Sequence, residues 1–321
     1  MKNELIPMKS IIIAVLVAVF LVPALSFSQS NQTYNFLNLD VDARSSALAG
    51  SVISAENELS SIFYNPAGIS TITETKASVG FYKYLLDINA GNAAFSTKLK
   101  DKGWLGAGLT YVNYGSFKKF DENYNEVGTF SANDLALNVA YSNFFTPQLS
   151  YGVGIKLIYS SIDEYNSMGV ATDWGLLYRM PEQSFNVGIS LLNLGTQLSS
   201  YADTREELPL NLKIGASKSL EYLPLTFNVA LNNLTQDTDS FFDRFKNVTV
   251  GGDFRFNENF SLRIGYNNQL RQDLKTGSTT GIGGFSAGLG FRVAKRYALD
   301  YAFNSLGQVG AAHRFNVGFQ F

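Results

Sequence analysis

Cysteine is absent from the 321 residues, which excludes a disulfide framework, Cys-ligated zinc, thiol catalysis and a lipidated N-terminal cysteine. The absence is also compatible with passage through an oxidising compartment. Histidine occurs once, at His313, and one imidazole with no cysteine partner cannot make a usual zinc site. Charged residues are only 16% of the chain and the net charge is −2. With no Lys/Arg run to make a phosphate-binding footprint, no nucleic-acid partner is expected. Beyond the first segment there is no apolar run of 18 or more residues, so no membrane helix is expected either.

What is present begins with a targeting signal. Lys2 and Lys9 make a basic start, diluted by Glu4; an unbroken apolar stretch runs from Ile11 to Val22; Pro23 ends it, and Ser26 and Ser28 put small residues where a signal peptidase reads. The pattern predicts a signal peptide over 1–28 and a mature start near Gln29, with Met8 an alternative initiator. An uncleaved anchor is the rival reading, disfavoured by length and flanks.

From about residue 76 onward the dominant period is two. In Phe260-Ser261-Leu262-Arg263-Ile264-Gly265-Tyr266-Asn267 every even position is large and apolar and every odd one polar or Gly. Leu225 to Asn232, Leu210 to Ile214 and Tyr297 to Asn304 repeat the alternation, which fits strands with one apolar face better than a helix. About fourteen such strands are expected, an even number as in bacterial membrane barrels. Connections tend to alternate short (Thr146-Pro147, Asn257-Glu258) and long (116–130, 196–208, 235–244, 269–281). Tight periplasmic turns and longer outer loops explain that parity, and a soluble sandwich does not. Open edges cannot exist in lipid, so the strands must close. Aromatics toward strand ends, including Tyr111, Tyr114, Tyr141 and Tyr159, are expected to form interfacial girdles. The last strand carries Phe315, Val317, Phe319 and Phe321 on one face, an arrangement resembling the C-terminal signal by which outer-membrane barrels are handed to their assembly machinery.

The fold class expected is therefore all-β: a transmembrane antiparallel β-barrel over 76–321, preceded by a small helical N-terminal segment over 29–75. Within that segment, Ala43 to Gly50 reads as a short small-residue helix with Gly50 at its C-cap. Asn57 to Phe63 adds a further turn of helix. Tyr64-Asn65-Pro66-Ala67-Gly68 reads locally as a helix stop and turn, because Pro66 biases Asn65 away from helical backbone. Taken together, Asp42 to Gly50, Tyr64 to Gly68, Arg263 to Tyr266, Gly284 to Gly290, Leu299 to Phe303 and His313-Arg314-Phe315 resemble, in order and spacing, the FadL superfamily, and within it the PorV/PorQ family of Bacteroidetes-type bacteria. The resemblance covers essentially the whole mature chain. It departs at Glu56-Asn57-Glu58, where many relatives carry an Asp-Ala-Ser-like run. It implies that the N-terminal segment folds back into the lumen as a hatch, with Asn65, Pro66, Ala67 and Gly68 as the plug motif.

Little here resembles an active site, and no catalytic, cofactor-binding or metal-ligating residue is assigned. Gly284-Phe285-Ser286-Ala287-Gly288 matches the letters of a hydrolase nucleophile elbow, but it lies inside an alternating strand with no helix following. Asp300 and His313 would complete a triad only by accident of sequence. The glycines at 103–108 and 281–290 lack the strand-to-helix context of a dinucleotide site and are expected to admit plug contact or bend strands. Asp121, Glu122 and Glu126 share a loop with Lys118 and Lys119; a solvated exterior loop is favoured over a calcium site, since the spacing is not EF-hand-like.

The resemblance implies a role in type IX secretion, in which the protein recognises partners and performs no chemistry. The expected partners are outer-membrane lipid, the barrel-assembly machinery, and the type IX translocon, attachment-complex or cargo proteins, met by the long outer loops. The alternative is a FadL-like transporter of hydrophobic small molecules, which needs an apolar pocket beside the hatch and a side opening. A general diffusion porin is a third class, against which the plug argues.

Overall fold

A computed structural model describes residues 32–85, 87–236, 241–275 and 281–321; the signal segment expected over 1–28 lies outside these residues. Fourteen strands, each antiparallel to the next, close into one barrel in which β1 (Lys76–Lys83) pairs with β14 (Ala311–Gln320). The closing register runs from Lys76↔Gln320 to Lys83↔His313. No helix among the described residues is long and apolar enough to cross a membrane.

The period-two pattern sets which face looks where. On β1, Val79 and Phe81 are half exposed while Tyr82 is buried; on β5 (Leu149–Ile162), Ile155 and Leu157 are exposed while Lys156 and Ile158 are buried. An outer wall carrying Leu105, Leu109, Val139, Trp174, Ile264 and Leu299, all at least 37% exposed, is far more contiguous apolar surface than a water-soluble protein shows. It is the surface a bilayer covers.

Whereas one end has a two-residue turn at 163–164 among its longer connections, every connection at the barrel end that holds Lys76 and Gln320 is short (99–103, 145–148, 181–184, 220–224, 256–259 and 294–296). By the usual disposition this is the periplasmic end. The opposite end differs from expectation in two places. Residues 116–130, anticipated as a long loop, are mostly strand: β3 (Trp104–Phe120) and β4 (Glu126–Phe144) stay paired up to Phe120↔Glu126. Gly115, at φ +84°, forms a bulge between Asn113 and Ser116, after which pairing resumes. The polar and charged composition of the stretch marked exposure, and exposure was compatible with a hairpin. Similarly, β7 (Phe185–Ser199) runs on through residues anticipated as loop. Tyr114 also departs from the expected girdle: it turns inward and its hydroxyl donates to Asp134 Oδ2 at 2.7 Å.

Candidate functional site

Residues 32–75 fill the interior of the barrel. A 3-10 turn (Asn35–Asn38) is followed by a helix (Ala43–Ala47) whose N-cap Asp42 accepts from the Ser45 N–H at 2.7 Å. Burial holds the Asp42 carboxyl above its usual range, and the bonds from Ser45 oppose it. The helix closes by paired bonds, Gly50 N–H to Ser45 O and Ala49 N–H to Ser46 O. This is a Schellman arrangement in which Ala49, at φ +53°, takes the first left-handed position and Gly50 the next. The C-cap expected at Gly50 is thus two residues earlier, at Leu48.

A second helical turn (Ser61–Tyr64) leads into Asn65 and a 3-10 segment (Pro66–Thr71). Pro66 takes the first helical position, where its missing N–H costs nothing. Asn65 is 1% exposed and fully bonded. Its Oδ1 accepts from the Ala67 N–H at 3.1 Å, while its Nδ2 donates to Ile53 O at 2.8 Å and to Leu176 O, on β6 (Tyr165–Met180), at 3.0 Å. Ala67 O accepts from Ser142 and Ser150 of the wall, both at 3.1 Å. Asn65 and Ala67 therefore tie residues 32–75 to the barrel wall. Close approach depends on glycine in the wall: a methyl group at Gly152 would stand 2.3 Å from the Pro66 carbonyl carbon, and one at Gly175 would stand 2.1 Å from Asn65 Oδ1. The glycines of β3 behave alike, with Gly106 against Ile62 and Ile69 and Gly108 against Phe63. Gly68 lies against Ser61 within the plug.

Charge makes the second attachment. Arg44 reaches Asp253 at 3.0 Å and Glu58 at 3.3 Å, and Arg263 bonds Asp253 at 3.3 Å and Asp300 on its other side. Burial pushes the Glu58 carboxyl up, but Arg44, Lys76, Arg255 and Arg292 together outweigh it and hold the group below its usual range. A second buried pair, Lys156–Asp173 at 3.2 Å, sits in the wall with Asn193 on both partners. Sequence reading did not single out these pairs. The available signal was an ionisable residue at an inward parity position, as in Ile155-Lys156-Leu157.

The packing leaves little room at mid-height. A cavity beside Phe36, Phe63 and Lys213 measures about 30 Å³ and one beside Val41 and Tyr82 about 10 Å³, each with space for at most about one water. A larger cavity of about 210 Å³ at the outer end is lined by Asn211, Asn232, Asn247 and other polar groups.

The remaining candidates are kept apart. Ser286 faces the lumen and donates to Ala47 O at 3.0 Å, and Asp300, also inward, is held by Arg263. The register places His313 on the opposite, outward face, bonded to Tyr301 at 2.8 Å and flanked by Phe303. The three do not converge. Asp121 accepts from Asn123 and Asn125 in its own turn, and Glu126 pairs with Lys118 at 2.7 Å. No group of three His, Cys, Asp or Glu that could hold a metal occurs among the described residues. On β14, Phe315, Val317 and Phe319 share the outward parity with terminal Phe321, which is 68% exposed.

The outer hairpin is a further feature that the sequence did not reveal. β2 (Asn89–Lys98) stops pairing with β3 at Asn113, and β5 pairs with β4 only from Ala132 inward. Residues 116–120 and 126–130 therefore form a two-stranded ribbon with no strand on either outer edge among the described residues. It extends about 17 Å past its neighbours at ~3.4 Å per residue. It exposes Phe117, Phe120, Tyr124 and Val127, with Phe117 and Phe130 stacked at 5.2 Å.

A family model described as "Type IX secretion system protein PorV" matches residues 29–239. No curated protein sequence matches the chain. Solved structures of similar fold include the P. putida toluene transporter TodX, with TM-score 0.61 and 13% identity over 87% of this chain and 98% of that one. The Ralstonia pickettii toluene transporter TbuX gives 0.59 and 12%, over 90% and 100%. A Pseudomonas aeruginosa FadL homologue gives 0.57 and 10%, over 88% and 98%. At such identities the likeness is one of fold.

Proposed function

This chain belongs to the family of the type IX secretion system protein PorV, and we propose that it serves that system from the outer membrane by binding partner or cargo proteins at the cell surface. The observation that carries the reading is the ribbon of residues 116–131. Two unpaired strand edges, exposed aromatics and a position beyond the barrel wall make a surface to which another protein can add a strand. An isolated two-stranded hairpin is marginally stable, so a partner strand would also order it. In this account the plug seals the lumen by the Asn65, Ala67 and Arg44 contacts, the 29–75 segment is the hatch, and residues 1–28 direct export. Phe315, Val317, Phe319 and Phe321 form the strand read by the barrel-assembly machinery.

The test is genetic. Deleting the gene should leave secreted cargo cell-retained. The full chain should restore surface delivery, and a variant with 116–131 replaced by Asn-Gly should not. Normal delivery in the deletion strain would sink the proposal.

The names of the similar structures favour a second reading, passage of hydrophobic small molecules. Against it, an apolar cavity that holds benzene is on the order of 150 Å³, whereas the mid-height cavities measure about 30 and 10 Å³. Uptake of radiolabelled toluene that depends on this protein would revive that reading.

A further inference from the structure

We propose that the periplasmic mouth of the barrel is a binding site for a phosphate group, carried either by an inner-leaflet lipid headgroup or by a free phosphate anion. A cavity of about 100 Å³ opens there, lined by five cations (Arg44, Lys76, Arg292, Lys295, Arg296) and three carboxylates (Asp42, Glu58, Asp300). The carboxylates are already engaged. Asp300 is held by Arg263, Glu58 by Arg44, and Asp42 caps its own helix.

Arg44 is engaged by Glu58 and Asp253, but the other four cations are less so. Lys76 donates to Asn57 O at 2.6 Å and Asn57 Oδ1 at 2.7 Å, both neutral acceptors, and feels Glu58 and Glu74 without a direct ion pair to either. The guanidinium groups of Arg292 and Arg296 have no hydrogen bond or ion pair among the described residues. Lys295 stands 3.8 Å from Glu258, with both side chains more than 80% exposed, an arrangement worth little in water. Glu74 sits at the rim, bonded by Gln320. The depressed titration of buried Glu58 registers the same positive field.

Two further features match the ligand. The planar fork of arginine suits phosphate oxygens. The cavity wall also includes the outward rings of Tyr297 and Phe319, edge to face at 5.9 Å, and aromatics of this kind sit at headgroup level. The volume equals about three waters at ~30 Å³ each, enough for a phosphate group while acyl chains lie along the outer wall. The inference is independent of the secretion reading.

The test is native mass spectrometry of the detergent-purified full chain, titrated separately with phosphatidic acid, diacylglycerol of the same chains, and inorganic phosphate. The wild type should retain phosphatidic acid and not diacylglycerol, and R292Q/R296Q should bind it at least ten-fold more weakly. K83Q at the opposite end of β1 should match the wild type. Heat-modifiable gel migration checks that each variant is a closed barrel. Inorganic phosphate binding that is lost in R292Q/R296Q, without retention of phosphatidic acid, would assign the site to the free anion. Equal binding by wild type and R292Q/R296Q, equal retention of diacylglycerol, or binding of neither phosphate compound would overturn the proposal.

Discussion

Replacing Asn65 with alanine removes three hydrogen bonds, one within the turn, one to the Ile53 carbonyl and one to Leu176 on the wall. At a net ~1 kcal/mol each, local opening of 61–72 should become easier by ~3 kcal/mol, of which only the Leu176 bond, ~1 kcal/mol, is direct attachment to the wall. With ~1.4 kcal/mol per tenfold, the locally opened population of 61–72 rises roughly a hundredfold. The barrel ladder does not depend on this side chain, so N65A should keep its heat-modifiable migration. Hydrogen exchange of the 61–72 backbone should accelerate by about two orders of magnitude, and brief conducting events should appear in planar bilayers. Exchange in 61–72 indistinguishable from wild type, in a folded N65A barrel, would refute the claim that Asn65 fastens the plug.

Other consequences follow from the same contacts. Gly152→Ala places a methyl group 2.3 Å from plug backbone, which cannot yield as a side-chain tip can; 61–72 should be released more completely than in N65A, as read by limited proteolysis. Phe321→Ala removes a ring that is 68% exposed, so thermal stability of the purified barrel should change little, while the assembled fraction in membranes falls severalfold. Glu58 has a lowered folded pKa, so its stabilising contribution is complete above the unfolded value and is lost as pH falls through the folded one. Plug exchange in the wild type should therefore accelerate below about pH 4, and R44Q should flatten that acid dependence.

The barrel was legible in the sequence because lipid and lumen impose opposite demands on alternate residues, and Phe260 to Asn267 meets them one by one. The plug was legible only in part. Asn65-Pro66 announces a break in helix, but its partners are backbone carbonyls at Ile53 and Leu176, and carbonyls leave no mark on composition. Ala49 stands left-handed where glycine was expected because paired bonds to Ser45 and Ser46 fix the turn. The ribbon was hidden for another reason. Phe117-Lys118-Lys119-Phe120 carries loop-like charge, and only the ends of β2 and β5 decide that its edges are bare. Likewise, Arg263 and Asp253 are ordinary inward residues until the register puts Arg44 between them and Glu58.

A protein that works through what it binds outside the membrane must lose its partners when the ribbon is removed. Quantitative mass spectrometry of proteins retained by the affinity-tagged chain from native membranes, compared with the variant in which Asn-Gly replaces 116–131, measures this directly. Translocon, attachment-complex or secreted cargo proteins should be enriched with the intact chain and fall to background with the shortened one. Equal recovery with both chains, or recovery of none with either, would contradict it.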